Sequence, residues 1–203
     1  MQNFNAATFL LSCAHLRQLP PATGPEVAVA GRSNSGKSST LNRLCQRRQL
    51  ARVSKTPGRT QLINYFALPS GAYLVDLPGY GFAKVPEAVR LQWERLMESY
   101  LTRRESLRGL LLIMDIRHPL TPLDLQMLDW CRARALPVHI LLNKADKLGR
   151  GAQQATVLGV RRRLAEMSMN MTVQGFSASS GAGLEEAIAI LEGWLTPEEK
   201  SPA

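Results

Sequence analysis

The chain has 203 residues, 45% of them hydrophobic and 20% charged, with a formal net charge of +9. That is enough for one domain with a full core, and no apolar run approaches the roughly 20 residues a membrane-crossing helix needs. Cys13, Cys45 and Cys131 are odd in number and widely spaced, so neither a disulfide framework nor a cysteine metal site is expected. They read as reduced, buried thiols of a cytoplasmic protein. His15, His118 and His139 are equally scattered and mark no metal site.

Residues 1–22 read as a peripheral extension that packs on the domain. Within it Ala6 to Cys13 (AATFLLSC) loosely resembles a lipoprotein signal ending at cysteine. No Lys or Arg precedes Arg17, so the basic region of such a signal is missing, and a short helix or strand is expected instead. The domain is expected over 23–196. Strands are expected at 27–31, 61–68, 72–76, 109–115, 137–143 and 172–177. Helices are expected at 37–46, 87–105, 121–135, 152–168 and 183–195. Pro69-Ser70-Gly71 between the second and third strands signals a hairpin. Thr121-Pro122 gives the third helix an N-cap and a first-turn proline. Residues 197–203 read as a frayed tail. Apolar runs alternating with amphipathic segments predict an α/β fold with a mostly parallel sheet.

Gly31-Arg32-Ser33-Asn34-Ser35-Gly36-Lys37-Ser38 matches G-x-x-x-x-G-K-S, and it lies between an apolar strand and a helix, as a phosphate-binding loop requires. Glycines let the backbone turn its N–H groups onto an anion at a helix N-terminus. Lys37 is expected on the β- and γ-phosphates and the Ser38 hydroxyl on Mg²⁺. Asp76-Leu77-Pro78-Gly79 follows the strand YLVD. There Asp76 can hold Mg²⁺ through its water shell, and the Gly79 N–H can approach a γ-phosphate. Asn143-Lys144-Ala145-Asp146 follows PVHILL. The Asp146 carboxylate accepts two hydrogen bonds from guanine that adenine cannot offer, Asn143 buttresses the loop, and the Lys144 stem lies along the ring. Ser177-Ala178 after TVQGFS can bring backbone N–H groups to the guanine oxygen. Between the first two motifs, Thr56 and Thr60 are both candidates for a second Mg²⁺ hydroxyl. Thr60 is favoured because it directly precedes the strand QLINYF.

These motifs resemble the translation-factor-related class of P-loop GTPases. SKTPGRTQ, DLPGYGFA, DIRHPLTPLD and NKADKL, with Phe9, Ser12, Leu19 and Pro20 at the N-terminus, resemble the EngB (YihA/YsxC) family of bacterial GTPases over nearly the whole chain. The resemblance implies a three-layer P-loop NTPase, a Ras-like G domain with a six-stranded, mostly parallel sheet and helices on both faces. It implies GTP or GDP as ligand, held by Gly31 to Ser38, by Gly58, Arg59, Thr60, Gln61 and Leu62, by Asp76 to Gly79, by Asn143 to Asp146, and by Phe176, Ser177 and Ala178. Mg²⁺ would rest on Ser38 and Thr60. It further implies a role in assembly of the large ribosomal subunit, needed for normal cell division and septation.

Ras-like GTPases position the attacking water with a glutamine after D-x-x-G. Tyr80 occupies that place here and cannot do the same work. Lys37, Asn34, Thr60 and Gly79 are therefore the catalytic candidates. Asn34 could hold K⁺ against the phosphates, Arg32 or Arg59 could act in cis, or the ribosome could supply the group. Slow intrinsic turnover is expected, on the order of 10⁻⁴ to 10⁻³ s⁻¹ as for unassisted Ras.

From Val27 to Val75 there is no Asp or Glu, while Arg32, Lys37, Arg43, Arg47, Arg48, Arg52, Lys55 and Arg59 contribute eight positive charges. Arg103, Arg104 and Arg108 form a second basic group and Arg161 to Arg163 a third. An acid-free stretch of this length points to a polyanion, nucleic acid and above all RNA. The family resemblance implies that the partner is the large ribosomal subunit, both its RNA and its proteins. The alternative is a division-associated module with a protein partner. No membrane contact is expected. No long apolar heptad is present, and a monomer is expected.

Overall fold

Along the described residues of the computed structural model (2–51, 62–81, 86–167, 169 and 171–196) the order is β1 (Thr8–Cys13), β2 (Glu26–Gly31), α1 (Lys37–Leu44), β3 (Ile63–Ala67), β4 (Tyr73–Asp76), α2 (Glu87–Arg103), β5 (Leu107–Asp115), α3 (Pro122–Ala133), β6 (Val138–Asn143), α4 (Arg150–Glu166), β7 (Thr172–Gly175) and α5 (Leu184–Leu195). The strands form one sheet in the order β1-β3-β4-β2-β5-β6-β7. β2 is parallel to both β4 and β5, and β6 and β7 continue the parallel half. β3 and β4 pair antiparallel across the expected hairpin, with Gly71 at φ +83° in its turn.

β2 and β5 carry the two faces of the core by simple alternation. Ala28, Ala30, Leu110, Leu112 and Met114 pack with Met97, Tyr100, Leu101, Met127, Leu128, Val160 and Leu164 of α2, α3 and α4. Val27, Val29, Leu111 and Ile113 pack with Leu41, Leu44, Ala187, Leu191 and Leu195 of α1 and α5. Helices cover both faces, which is the three-layer arrangement the family resemblance implies. α3 opens on a capping box in which Asp124 accepts from the Thr121 backbone N–H at 2.8 Å. Trp93 packs between Tyr80 and Trp130, with ring centroids 5.6 and 6.2 Å away. Cys13, Cys45 and Cys131 are all buried and free. No helix among the described residues is long and apolar enough to cross a membrane.

The six-stranded expectation is corrected to seven. Thr8–Cys13 is a strand on the edge of the sheet, antiparallel to β3, with a register shift between Phe9 and Leu11. It carries little alternation of its own, since Cys13 is its only buried residue. Its conformation is dictated by β3, more than fifty residues downstream.

The basic reading of Arg104 is also corrected. Arg104 is turned inward onto Glu26 at the first position of β2, where the carboxylate is fully buried. Its Nε donates to Glu26 Oε1 at 2.9 Å, and its Nη2 donates to the same oxygen and to the Pro20 carbonyl at 2.8 Å. Ser106 Oγ, Tyr100 Oη and Tyr65 Oη donate to the carboxylate at 2.8, 2.9 and 3.0 Å. A buried charge persists only when paired and hydrogen-bonded, and five donor contacts meet that condition here. Arg103 and Arg108 remain exposed.

Candidate guanine-nucleotide site

β2 delivers the chain to the site. Gly31 ends the strand packed so closely that a Cβ there would lie 2.7 Å from the Ile113 carbonyl oxygen. The loop turns through Asn34 at φ +65° and Gly36 at φ +93°. A Cβ on Gly36 would lie 2.2 Å from Asn143 Nδ2, so both conformation and space require glycine. α1 begins at Lys37, and the first N–H groups of a helix have no partner within it. Ser33 and Ser35 donate their backbone N–H groups within the scaffold, to the Tyr80 and Arg32 carbonyls at 2.7 and 3.0 Å. The donors of Gly36, Lys37 and Ser38 thus lead into a ready anion site.

β4 lies beside β2 and ends at Asp76, which is 7% exposed and forms an ion pair with Lys37. Leu77 and Pro78 are buried and Gly79 is half-buried. Tyr80, the residue in the glutamine position, is turned into the core. Its hydroxyl donates to Asp124 Oδ1 at 2.6 Å. Burial, followed by the neighbouring Asp124 charge, pushes its pKa well above the usual tyrosine value. Tyr80 is therefore an anchor for the D-x-x-G turn and faces away from the loop.

β6 ends at Asn143, which ties three segments together. Its Nδ2 donates to the Ser35 carbonyl at 2.8 Å, and its Oδ1 accepts from the Ala178 N–H at 3.0 Å. Lys144, at φ +66°, donates to the Asn34 carbonyl and to Asp115 Oδ2, the latter at 3.0 Å. The Ala145 N–H donates to the Phe176 carbonyl at 3.0 Å. Asp146 is exposed, and Ser177 Oγ donates to its Oδ1 at 2.6 Å. That bond, with the Ser179 and Lys147 contacts after it, holds the Asp146 carboxyl below the ordinary carboxylate range. An ionised acceptor on a fixed loop is what recognition of paired ring donors needs.

The predicted residues of the phosphate loop, Asp76 to Gly79, Asn143 to Asp146 and Phe176 to Ala178 thus converge at the carboxyl ends of the parallel strands, where open α/β sheets bind ligands. Leu62 is half-buried just before β3. Gly58, Arg59, Thr60 and Gln61, and the alternative Thr56, lie outside the described residues.

Two contributors were not assigned to the site from the sequence. Arg43 of α1 donates to the Ala178 and Ser179 carbonyls at 2.8 and 2.6 Å, which removes it from the free basic surface. Asp115, at the end of β5, receives Lys144 and Arg117, and the Arg117 bonds, ahead of Lys144, hold its carboxyl well below the usual range. Asp115 opens the DIRHPLTPLD segment, which was the available signal.

The profile of a family described as 50S ribosome-binding GTPase matches residues 26–144. A probable GTP-binding protein EngB of Aromatoleum aromaticum is 54% identical over 204 residues, covering all of this chain and 94% of the relative. The chain belongs to the EngB family of GTP-binding proteins. As a member it binds guanine nucleotide and hydrolyses GTP. A second EngB relative, from Thiobacillus denitrificans, is 55% identical over 194 residues, covering 96% of this chain and 93% of its own. Among solved structures, a probable GTP-binding protein engB superposes with a TM-score of 0.67 at 21% identity over 84% of this chain and 98% of that one. Era bound to MgGDPNP and nucleotides 1506–1542 of 16S ribosomal RNA superposes at 0.65 and 23% identity, over 88% of this chain and 59% of that one. At those identities the likeness is one of fold, and the EngB assignment rests on the sequence relatives.

Proposed function

We propose that this GTPase is a nucleotide-controlled switch that docks on the assembling large ribosomal subunit, and that through this role it is needed for normal division and septation. The observation that carries the nucleotide half is the convergence of Lys37, Asp76, Asn143 and Asp146 at one end of the sheet. The phosphates would lie on the N–H groups of Gly36 to Ser38, with Lys37 exchanging Asp76 for the β- and γ-phosphates. The base would lie against Lys144, read by Asp146, with Ala178 presenting its loop to the guanine oxygen.

The donor set fits Mg²⁺. The Ser38 hydroxyl and the Asp76 carboxylate are hard oxygens. Thr60 would complete the set when a γ-phosphate is present. When bound, the ion would neutralise charge that develops on the phosphates. The protein's own part is positioning: Lys37 supplies positive charge, and Gly79 presents its N–H where negative charge grows. With Tyr80 turned inward, intrinsic hydrolysis would be slow, and the missing group would come from K⁺ on Asn34, from Arg32 or Arg59 in cis, or from the docking partner. Comparing rates in K⁺ and Na⁺ separates the first of these from the other two.

The partner reading is supported by the family description and by charge. Arg47 and Arg48 are exposed in the segment after α1, and no carboxylate pairs with either among the described residues. Such a surface favours phosphate contacts, whose affinity falls steeply with salt. The test is co-sedimentation with purified large subunits, with a non-hydrolysable GTP analogue or GDP, across a salt series. Binding favoured by the GTP form and weakened by salt is expected. Salt-insensitive binding, or none beside normal nucleotide affinity, would replace the ribosomal RNA with a protein partner at the division site.

A further inference from the structure

The edge strand β1 does more than close the sheet. In the register of the antiparallel pairs, Ser12 lies opposite Asn64 and Asn64 lies opposite Asp76. Directly opposed residues project from the same face with Cβ atoms about 5 Å apart. The three side chains therefore form one row across β1, β3 and β4. Ser12 Oγ donates to Asn64 Oδ1 at 2.7 Å, and Asn64 Nδ2 donates to Asp76 Oδ2 at 3.4 Å. The other Asp76 oxygen faces Lys37.

The polarity of the row is set by chemistry. A carboxylate accepts and never donates, so Asn64 must present its amino group to Asp76. That leaves its carbonyl oxygen for a donor, and the Ser12 hydroxyl is that donor. A hydroxyl at Ser12 thus fixes the amide, and the amide fixes the second oxygen of the carboxylate. When Lys37 turns to phosphate, Asn64 is the remaining side-chain partner of Asp76 among the described residues.

We infer that Asn64 is a positioning residue for the magnesium-side carboxylate, with Ser12 of the edge strand orienting it. This rests on the proposed Mg²⁺ role of Asp76. Partners that orient a metal's ligands typically matter by about 10- to 100-fold in metal affinity. The contact here is long and acts on a water-shell ligand, so the low end, about tenfold, applies to Asn64→Ala. Ser12→Ala, on the exposed edge, acts one step further away and shifts the same quantity less.

The test is release of a fluorescent GDP from the full chain, measured over a Mg²⁺ titration and again in chelator. Wild-type release is expected to slow as Mg²⁺ rises. In Asn64→Ala the Mg²⁺ concentration giving half that effect rises about tenfold, while release in chelator and the melting temperature in chelator stay at wild-type values. A purely structural role would move the last two instead. If wild-type release ignores Mg²⁺, the magnesium reading of the site fails. If wild type responds and both variants match its midpoint, the inference about Asn64 and Ser12 is overturned. Should Asn64→Ala not fold, Ser12→Ala alone decides, by a midpoint shift or its absence.

Discussion

Replacing Arg104 with alanine removes the cationic partner of a carboxylate that has no access to water. Breaking a buried pair from one side costs about 3–5 kcal/mol, because the remaining charge is uncompensated. Glu26 keeps three hydroxyl donors, from Tyr65, Tyr100 and Ser106, which argues for the lower figure. Loss of the Arg104 bond to the Pro20 carbonyl adds about 1 kcal/mol. The sum, about 4 kcal/mol, corresponds to a melting temperature roughly 8–16 °C lower for a domain of this size. Adding Glu26→Gln removes the stranded charge and should restore about half the loss, because the charge, rather than the missing contacts, dominates. Melting followed by circular dichroism at one fixed, saturating GDP concentration keeps ligand linkage constant. GDP affinity of the folded variant should be unchanged, since Glu26 starts the strand that Gly31 ends, about 17 Å away at strand rise. A single variant melting within about 3 °C of wild type, or a double variant no more stable than the single, would refute the reasoning.

Four further outcomes follow from the same geometry. Asp146→Asn should weaken GTP and favour xanthine nucleotides, because Ser177 holds one oxygen position and the amide group then offers a donor to a carbonyl; competition binding with both nucleotides checks it. Asp115→Asn should weaken GTP and GDP alike by about tenfold, as Lys144 loses a charged acceptor, whereas an effect confined to GTP would contradict that role. Tyr80→Phe should lower stability by about 2 kcal/mol, the scale of a hydrogen bond to a charged group, and leave single-turnover hydrolysis close to wild type; a large rate loss in a folded variant would show that the hydroxyl reaches the nucleotide. Burial holds the His139 pKa below its ordinary 6.5, against the opposing Gln174 hydrogen bond and Glu186 charge. The unfolded chain then binds more protons, so stability is complete above that value and declines as pH falls below it. Urea midpoints at roughly pH 7.5 and 5.5 should separate in wild type and converge in His139→Gln.

The phosphate loop and the guanine loop were legible because each is local. Glycines, a lysine and a hydroxyl within eight residues specify their own backbone, and a strand and a helix on either side confirm the setting. The hairpin at Pro69 to Gly71 and the cap at Thr121 are local for the same reason. What escaped depends on partners far along the chain. β1 shows little pattern until β3 is beside it. Arg104 read as surface charge because Glu26 lies 78 positions away. The sequence shows that Tyr80 is not a glutamine, but only the fold brings Asp124 beneath its hydroxyl. Asn64 sits in an apolar strand with no motif around it, and its place beside Asp76 appears only with the register. Thr56 and Thr60 lie outside the described residues, so the choice of Thr60 for Mg²⁺ rests on its place directly before the strand QLINYF and on the family resemblance.

β2 has every residue buried and a hydrogen-bonded neighbour on each side. In hydrogen-exchange terms it belongs to the last unit to open, with protection approaching the global unfolding free energy. The nucleotide loop hangs directly from that strand. Nucleotide binding should therefore slow exchange throughout the sheet and act as a brake on whole-chain unfolding, so that the folded lifetime tracks guanine-nucleotide supply.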